Sequence, residues 1–204
     1  MGQRGVFITF EGIDGAGKTT QIDALERWLK QEGVEVVRTR EPGGTPLGEA
    51  IRAMLLHEGM HVTTETLLFF AARAEHISRV IEPALARGAW VLSDRFTDAT
   101  YAYQVGAKGY PARHVEALES LVQGDLQPDH TVLFDVEPEI AAERLARARE
   151  LDRFETEDVE FFRNVRQAYL TRAAQMPSRF FILNTNRDKE LVCEELLSEA
   201  RKWR

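Results

Sequence analysis

Gly12-Ile13-Asp14-Gly15-Ala16-Gly17-Lys18-Thr19 follows directly on the apolar run Val6-Phe7-Ile8-Thr9-Phe10, and the junction of these two stretches decides how the chain folds. Two glycines bracketing four residues, with Lys and then Thr behind them, fit a phosphate-binding loop. Each residue type has a reason. Glycines let backbone N–H groups curl around phosphate oxygens, Lys18 brings a mobile positive charge, and the Thr19 hydroxyl can ligate Mg²⁺. A helix should begin at this point with its positive dipole end towards the anion.

The pattern behind the loop extends the reading. Ile22, Leu25 and Leu29 recur at helical spacing and Gly33 stands where that helix should stop, before a short strand that begins at Val34, Val36 and Val37. Strand, loop, helix and strand open a parallel α/β sheet. Further strands are expected at Trp90–Ser93, Thr131–Phe134 and Phe180–Leu183, separated by helical stretches. One of these runs from Thr63 or Thr64 through Ile81, with Pro83 as a kink and Gly88 as its end. Thr45 and Pro46 read as a helix N-cap and first position.

A chain of 204 residues that is 44% hydrophobic supports one domain with a substantial core, over residues 1–204. Lys and Arg number 26 against 33 Asp and Glu, a net −7, so the chain repels polyanions and nucleic acid is not an expected partner. The single Cys193 can form neither an internal disulfide nor a Cys-based zinc site. No apolar run approaches membrane-spanning length and the N-terminus leads straight into a strand, so no membrane partner and a cytoplasmic location are expected.

Several polar residues fall where ligands bind in open α/β sheets, beyond the carboxyl ends of strands. Arg40 and Glu41 are either a solvated pair or part of a site. Arg73, one turn after Phe69 in the most apolar helix, either snorkels to the surface or faces a ligand, and an aromatic face beside a planar donor fork suits a nucleobase. Asp94 and Arg95, ending the third strand, are either a structural ion pair or a Mg²⁺-assisting carboxylate beside a phosphate-gripping arginine. Thr97–Gln104 has the composition of a hydrogen-bonding pocket more than of a core, and Gly106 and Gly109 flank Lys108 in what reads as a flexible segment. Arg144, Arg147, Arg149 and Arg153 are either a solvated face or a closing phosphate lid.

Taken together, Phe10-Glu11-Gly12 with its loop, Thr39-Arg40-Glu41-Pro42-Gly43-Gly44-Thr45, Phe69 through Arg73, Asp94-Arg95, Thr100-Tyr101-Ala102-Tyr103-Gln104 and Leu151-Asp152-Arg153-Phe154-Glu155 resemble the bacterial thymidylate kinase family. The resemblance spans nearly the whole chain with its pieces in order. It implies a three-layer P-loop NTPase fold, a five-stranded parallel sheet flanked by helices, with a small arginine-rich lid at about residues 144–155. The implied reaction is phosphoryl transfer from MgATP to dTMP, giving ADP and dTDP, in a homodimer.

Residue roles follow from the same resemblance. Gly12, Ile13, Asp14, Gly15, Ala16, Gly17, Lys18, Thr19, Thr20 and Arg144 would surround ATP, and Thr19 and Asp94 would hold Mg²⁺. Asp14 would contact the dTMP sugar and help position the acceptor phosphate, which Arg95 and Arg40 would bind. Phe69 would stack on thymine, Arg73 would donate to its O4, Thr100 and Gln104 would complete the polar edge, and Tyr103 would lie where a ribose 2′-hydroxyl clashes. The family places its catalytic cation either inside the loop or on the lid. With Gly15 in the loop, the cation falls to Arg147, Arg149 or Arg153. The lid departs from the family pattern at Arg149, where a glycine is usual, and Val105–Gly109 departs from the usual glycine-rich run. Rival readings are another pyrimidine nucleotide or deoxynucleoside kinase, or an ATP-dependent switch.

Overall fold

The computed structural model describes residues 4–146, 153–154 and 157–203. Strand β1 (Phe7–Glu11) is buried along its whole length, as a central strand with both faces covered must be. It lies in a parallel five-stranded sheet with β2 (Val36–Arg40), β3 (Trp90–Asp94), β4 (His130–Asp135) and β5 (Phe180–Asn184), in the order β2-β3-β1-β4-β5. The register sets Phe10 opposite Asp94 on one side and opposite Val132 on the other. The carboxyl ends of β1, β2 and β3 thus emerge together.

Successive strand residues point to opposite faces, and the core divides accordingly. Ile8 and Phe10 join a cluster with Ile22, Leu25 and Leu29 of α1 (Lys18–Gln31) and Val192 and Leu196 of α9 (Lys189–Ala200). Phe7 and Val91 belong to a second cluster with Ile77, Ile81, Leu85 and Phe96. Strand β2 starts two residues later than its valines suggest. Gly33, at φ 77°, reverses the chain and the Val34 N–H closes α1 on the Leu29 carbonyl at 3.0 Å, so Val34 belongs to the helix cap.

The expected cap of α2 (Pro46–His57) is present, the Thr45 hydroxyl accepting the Gly48 N–H at 2.9 Å. The long apolar helix is α3 (Val62–His76), a π-helical turn at Ile77–Ile81 and α4 (Glu82–Ala86). The wider turn lies just ahead of Pro83, which has no N–H to give to the preceding turn. Helix α5 (Thr97–Thr100) runs into a second π-helical turn, Tyr101–Ala107, before α6 (Ala112–Gln123). Helices α7 (Pro138–Ala146) and α8 (Val159–Gln175) complete the fold.

Residues 97–109 differ from their sequence reading. Thr97, Asp98, Ala102, Tyr103 and Gln104 are buried, and Asp98 accepts from Arg172 at 2.6 Å and Arg179 at 2.7 Å, so much of the stretch is core. Gly106 packs against Ala168, whose Cβ a side chain at 106 would meet at 2.4 Å, and Lys108 is ion-paired, so the segment is tied down. Among the described residues no helix is long and apolar enough to cross a membrane.

Candidate active site

The loop after β1 is built by its backbone. Gly15 has φ 81°, and a Cβ there would meet the Ala141 carbonyl oxygen of α7 at 2.4 Å. Helix α7 therefore closes against the loop only because residue 15 has no side chain. Lys18 folds back, donating to the Gly12 and Ile13 carbonyls at 3.1 and 3.3 Å. A cavity of about 460 Å³ opens above the loop, bounded by Gly15, Lys18, Thr19, Asp94, Arg95 and Arg144.

Four residues hold one another beneath this cavity, two from the loops after β1 and β3 and two from helical segments. Arg95 Nη2 donates to Asp14 Oδ1 at 2.8 Å and to the Tyr103 hydroxyl at 3.1 Å, while Nη1 donates to the Tyr169 hydroxyl at 3.1 Å. Arg95 is the one non-glycine residue with positive φ, 72°, among those described, and it is pinned by its N–H on the Phe10 carbonyl and by the Ser93 hydroxyl on its own carbonyl. A strained backbone held so firmly is characteristic of functional positions. Burial alone would raise the Asp14 carboxyl, but Arg95 and Lys18 overcome it and hold it at about 2. Glu11 behaves oppositely. Its oxygens accept the Phe96 N–H at 2.7 Å and the Tyr169 hydroxyl at 2.8 Å, but burial and the nearby Asp98 push it up to about 8. Burial lowers Lys18, with Arg95 adding to the effect.

A second, smaller cavity adjoins the first, lined by Phe69, Arg73, Thr100, Tyr103, Gln104 and Phe154. Arg73 does not snorkel. It is 1% exposed, stacked on the rings of Phe70 and Phe96, and its Nε donates to Glu41 Oε2 at 2.7 Å and its Nη2 to Thr100 Oγ1 at 3.1 Å. His76 Nδ1 lies 2.9 Å from the other Glu41 oxygen. Burial would raise Glu41, yet Arg73 and His76 lower it, so the carboxylate is an ionised clamp. Among the described residues Arg73 Nη1 is a buried donor without a partner, on a side chain that lines the cavity. Such a donor is costly unless a ligand acceptor meets it.

The remaining expected residues fall as follows. Arg40 donates to Glu49 at 2.7 Å at the edge of the larger cavity. Arg144 reaches from α7 to the Gly15 carbonyl at 3.4 Å and the Thr185 carbonyl at 2.9 Å, so it spans from the phosphate loop to the loop after β5. Thr20 lines the loop cavity beside Thr19. Arg147 and Arg149 lie outside the described residues. Arg153 is placed on the side of the smaller cavity, donating to Glu65 at 2.5 Å and to the Leu55 carbonyl at 3.2 Å, with Phe154 turned against Phe69 and Tyr103.

Two features went unread in the sequence. Arg52, on α2, lines both cavities and donates to the Pro42 carbonyl at 3.1 Å; its position seven residues after Thr45 put it on the helix face towards the site. A third cavity, bounded by Gln21, Thr20, Arg144, Thr185, Arg187 and Lys189, continues the phosphate loop outward. The polar turn residues Asn184–Arg187, after the fifth strand, are its signal in the sequence.

Asp94 Oδ1 is buried and has no partner among the described residues, and Asp94 lines the same cavity as Thr19. Two hard oxygen donors beside a triphosphate-sized cavity suit Mg²⁺, which takes few protein ligands and completes its shell with phosphates and water. Among the described residues there is no cluster of three or more His, Cys, Asp or Glu that could enclose a metal by itself.

A phosphate loop, an adjoining base-sized cavity and arginines between them define a P-loop phosphotransferase acting on a nucleotide acceptor. The family model for thymidylate kinase matches residues 10–196. The chain is 59% identical over 201 residues to the thymidylate kinase of Methylobacillus flagellatus, covering 98% of this chain and 99% of that one. It is 58% identical over 195 residues to that of Cupriavidus pinatubonensis, covering 95% and 96%. The crystal structure of the Ehrlichia chaffeensis thymidylate kinase superposes with a TM-score of 0.78 at 36% identity, over 97% of this chain and 99% of that one. The chain belongs to the thymidylate kinase family, enzymes that phosphorylate dTMP to dTDP with ATP.

Proposed function

We propose that the chain transfers the γ-phosphoryl group of ATP to the 5′-phosphate of dTMP on these residues, as one domain in a cytoplasmic homodimer. The observation that carries the acceptor assignment is Arg73, which lines a cavity walled by Phe69 and whose buried Nη1 has no partner among the described residues. Thymine offers an O4 acceptor to such a donor. Cytosine would bring an amino group and leave the charge unpaired.

Lys18 and the loop amides bind the ATP phosphates, and Thr20 and Arg144 flank them. The adenine then extends towards Gln21, Thr185 and Arg187. Thr19 and Asp94 would hold Mg²⁺, which supplies neutralising charge on the phosphates. Arg95 and Arg52, on the wall shared by the two cavities, and Arg40, at the edge of the larger one, grip the acceptor phosphate. One of its oxygens attacks the γ-phosphorus; that bond forms as the bond to the β–γ bridging oxygen breaks, and ADP leaves. No protein base is required, because the attacking phosphate is already an oxyanion, and the chain supplies position and charge. Gly15 has no room for a side chain, so the cation at the transferring group comes from Arg147, Arg149 or Arg153, and because Arg153 is held by Glu65 and the Leu55 carbonyl beside the smaller cavity, the role goes to Arg147 or Arg149. Tyr103, beside Asp14, stands against the deoxyribose.

Support for the dimer is the exposure of Met54 on α2, Leu67 on α3 and Leu121 on α6, helices that pack side by side; sedimentation as a monomer would contradict it. The acceptor assignment is tested by equilibrium titration without ATP. dTMP should bind at least tenfold more tightly than thymidine or dCMP, and equal binding of thymidine would remove the phosphate role of Arg95.

A further inference from the structure

We infer that Glu65 is the positioning residue that sets the hydrogen-bonding polarity of the acceptor pocket, by fixing which end of the Gln104 amide faces the base. The inference rests on the reading of the Phe69–Arg73 cavity as the thymine site.

Glu65 lies in the first turn of α3, fully buried, and does not itself line the cavity. Its carboxylate collects three donors from distant parts of the chain. Gln104 Nε2 donates to Oε1 at 2.9 Å, Lys108 Nζ lies 2.7 and 2.8 Å from the two oxygens, and Arg153 Nη2 donates to Oε2 at 2.5 Å. Burial would raise this carboxyl, but hydrogen bonds from Lys108 and Gln104 bring it below the ordinary value. It is therefore an ionised, acceptor-only group.

An acceptor-only partner decides the amide orientation. The NH₂ end of Gln104 must face Glu65, because its carbonyl oxygen there would meet a carboxylate oxygen. Gln104, itself 1% exposed, then presents Oε1 to the cavity it lines. A carbonyl oxygen accepts the N3–H of thymine, whereas N3 of cytosine carries a lone pair and would be repelled. The two neighbouring cations serve the same wall. Lys108 Nζ and Arg153 Cζ lie 4.7 and 4.6 Å from the ring centroid of Phe154, which closes the cavity against Phe69 and Tyr103. Glu65 is thus the common anchor of the pocket's polar edge and of the residues around Phe154, without touching the substrate.

The test is a double-variant cycle on dTMP binding, with kinetics. In Glu65→Gln the side chain keeps its shape and one acceptor oxygen for the cations, but its own NH₂ can now face Gln104 and permit the flipped amide. Gln104→Ala and Glu65→Gln should each raise the dTMP Kd about tenfold, the worth of one hydrogen bond to a charged or buried partner. The double variant should be no more than about twofold worse than the weaker-binding single variant. Glu65→Gln should also narrow the dTMP over dCMP ratio in kcat/KM about tenfold while kcat at saturating dTMP stays within about twofold, a split that a general loss of structure would not give. Losses that multiply in the double variant would overturn the inference, as would an unchanged dTMP over dCMP ratio in Glu65→Gln. Gln104→Ala with unaltered dTMP affinity would overturn the pocket assignment itself, and this inference with it. Should Glu65→Gln fail to fold, the unmodified chain still decides: the Gln104 side-chain NH₂ should be protected from exchange before and after dTMP binds, and its release on binding would contradict the fixed orientation.

Discussion

Arg95 and Asp14, 81 residues apart in sequence, are joined at 2.8 Å across the wall between the two cavities, with Lys18 3.8 Å from the same Asp14 oxygen. In the proposed function the carboxylate would hold the guanidinium where an acceptor phosphate arrives, with the geometry in place before substrate binds. Removing it by Arg95→Ala forfeits a charge-assisted contact of about 1.5–3 kcal/mol. The dTMP Kd should rise at least about tenfold, with ATP binding much less affected. Titration of the variant with each nucleotide separately checks this, and a dTMP affinity within twofold of the parent would contradict it.

Glu11 and Asp14 give stability opposite pH dependences. The Glu11 carboxyl, raised from 4.5 to about 8, keeps a proton in the folded chain that the unfolded chain loses. Its contribution is complete below 4.5 and lost as pH rises through about 8. Asp14, lowered from 3.8 to about 2, contributes fully above 3.8 and fades as pH falls towards 2. Thermal unfolding should therefore show Tm falling between pH 5 and 8, and Glu11→Gln should flatten that slope. An identical slope in the variant would assign the fall to another group.

Gly15→Ala forces a side chain onto a left-handed backbone, at about 1–2 kcal/mol, and against the Ala141 carbonyl at 2.4 Å. Since α7 carries Arg144 and leads into the arginine-rich segment, its displacement should raise the ATP KM together with a lower Tm. Unchanged Tm and ATP KM would mean that the loop and α7 are not closed against each other in solution.

What was legible in the sequence was what neighbouring residues determine. The buried run of β1, the glycine loop, the Thr45 cap and the strand ends at Asp94 and Arg95 each follow from a few adjacent side chains. Arg73 was only half legible. Its helix is apolar on most sides, so periodicity gave no face for a charge, and its burial depends on Glu41, 32 residues earlier. Glu65 was illegible for the same reason. Its donors Gln104, Lys108 and Arg153 lie 39, 43 and 88 residues away, and nothing local distinguishes it from any acidic residue of a first helical turn.

The arginines of the lid segment should separate into two kinds. Arg153, held on the acceptor side by Glu65 and the Leu55 carbonyl, should on replacement by Ala raise the dTMP KM with kcat within a few fold. Arg147→Ala or Arg149→Ala should lower kcat about a hundredfold or more with little change in dTMP binding, as for a contact made in the transition state. Steady-state kinetics on the three variants distinguish the roles, and a kcat collapse confined to Arg153→Ala would reverse the assignment.

The most direct test of the whole account is ADP release from MgATP with dTMP, dUMP, dCMP, thymidine or no acceptor. The site requires strong turnover with dTMP, weaker turnover with dUMP, which keeps O4 and N3–H but lacks the methyl group, and little with the others. Turnover that is independent of acceptor, or greater with thymidine than with dTMP, would contradict it.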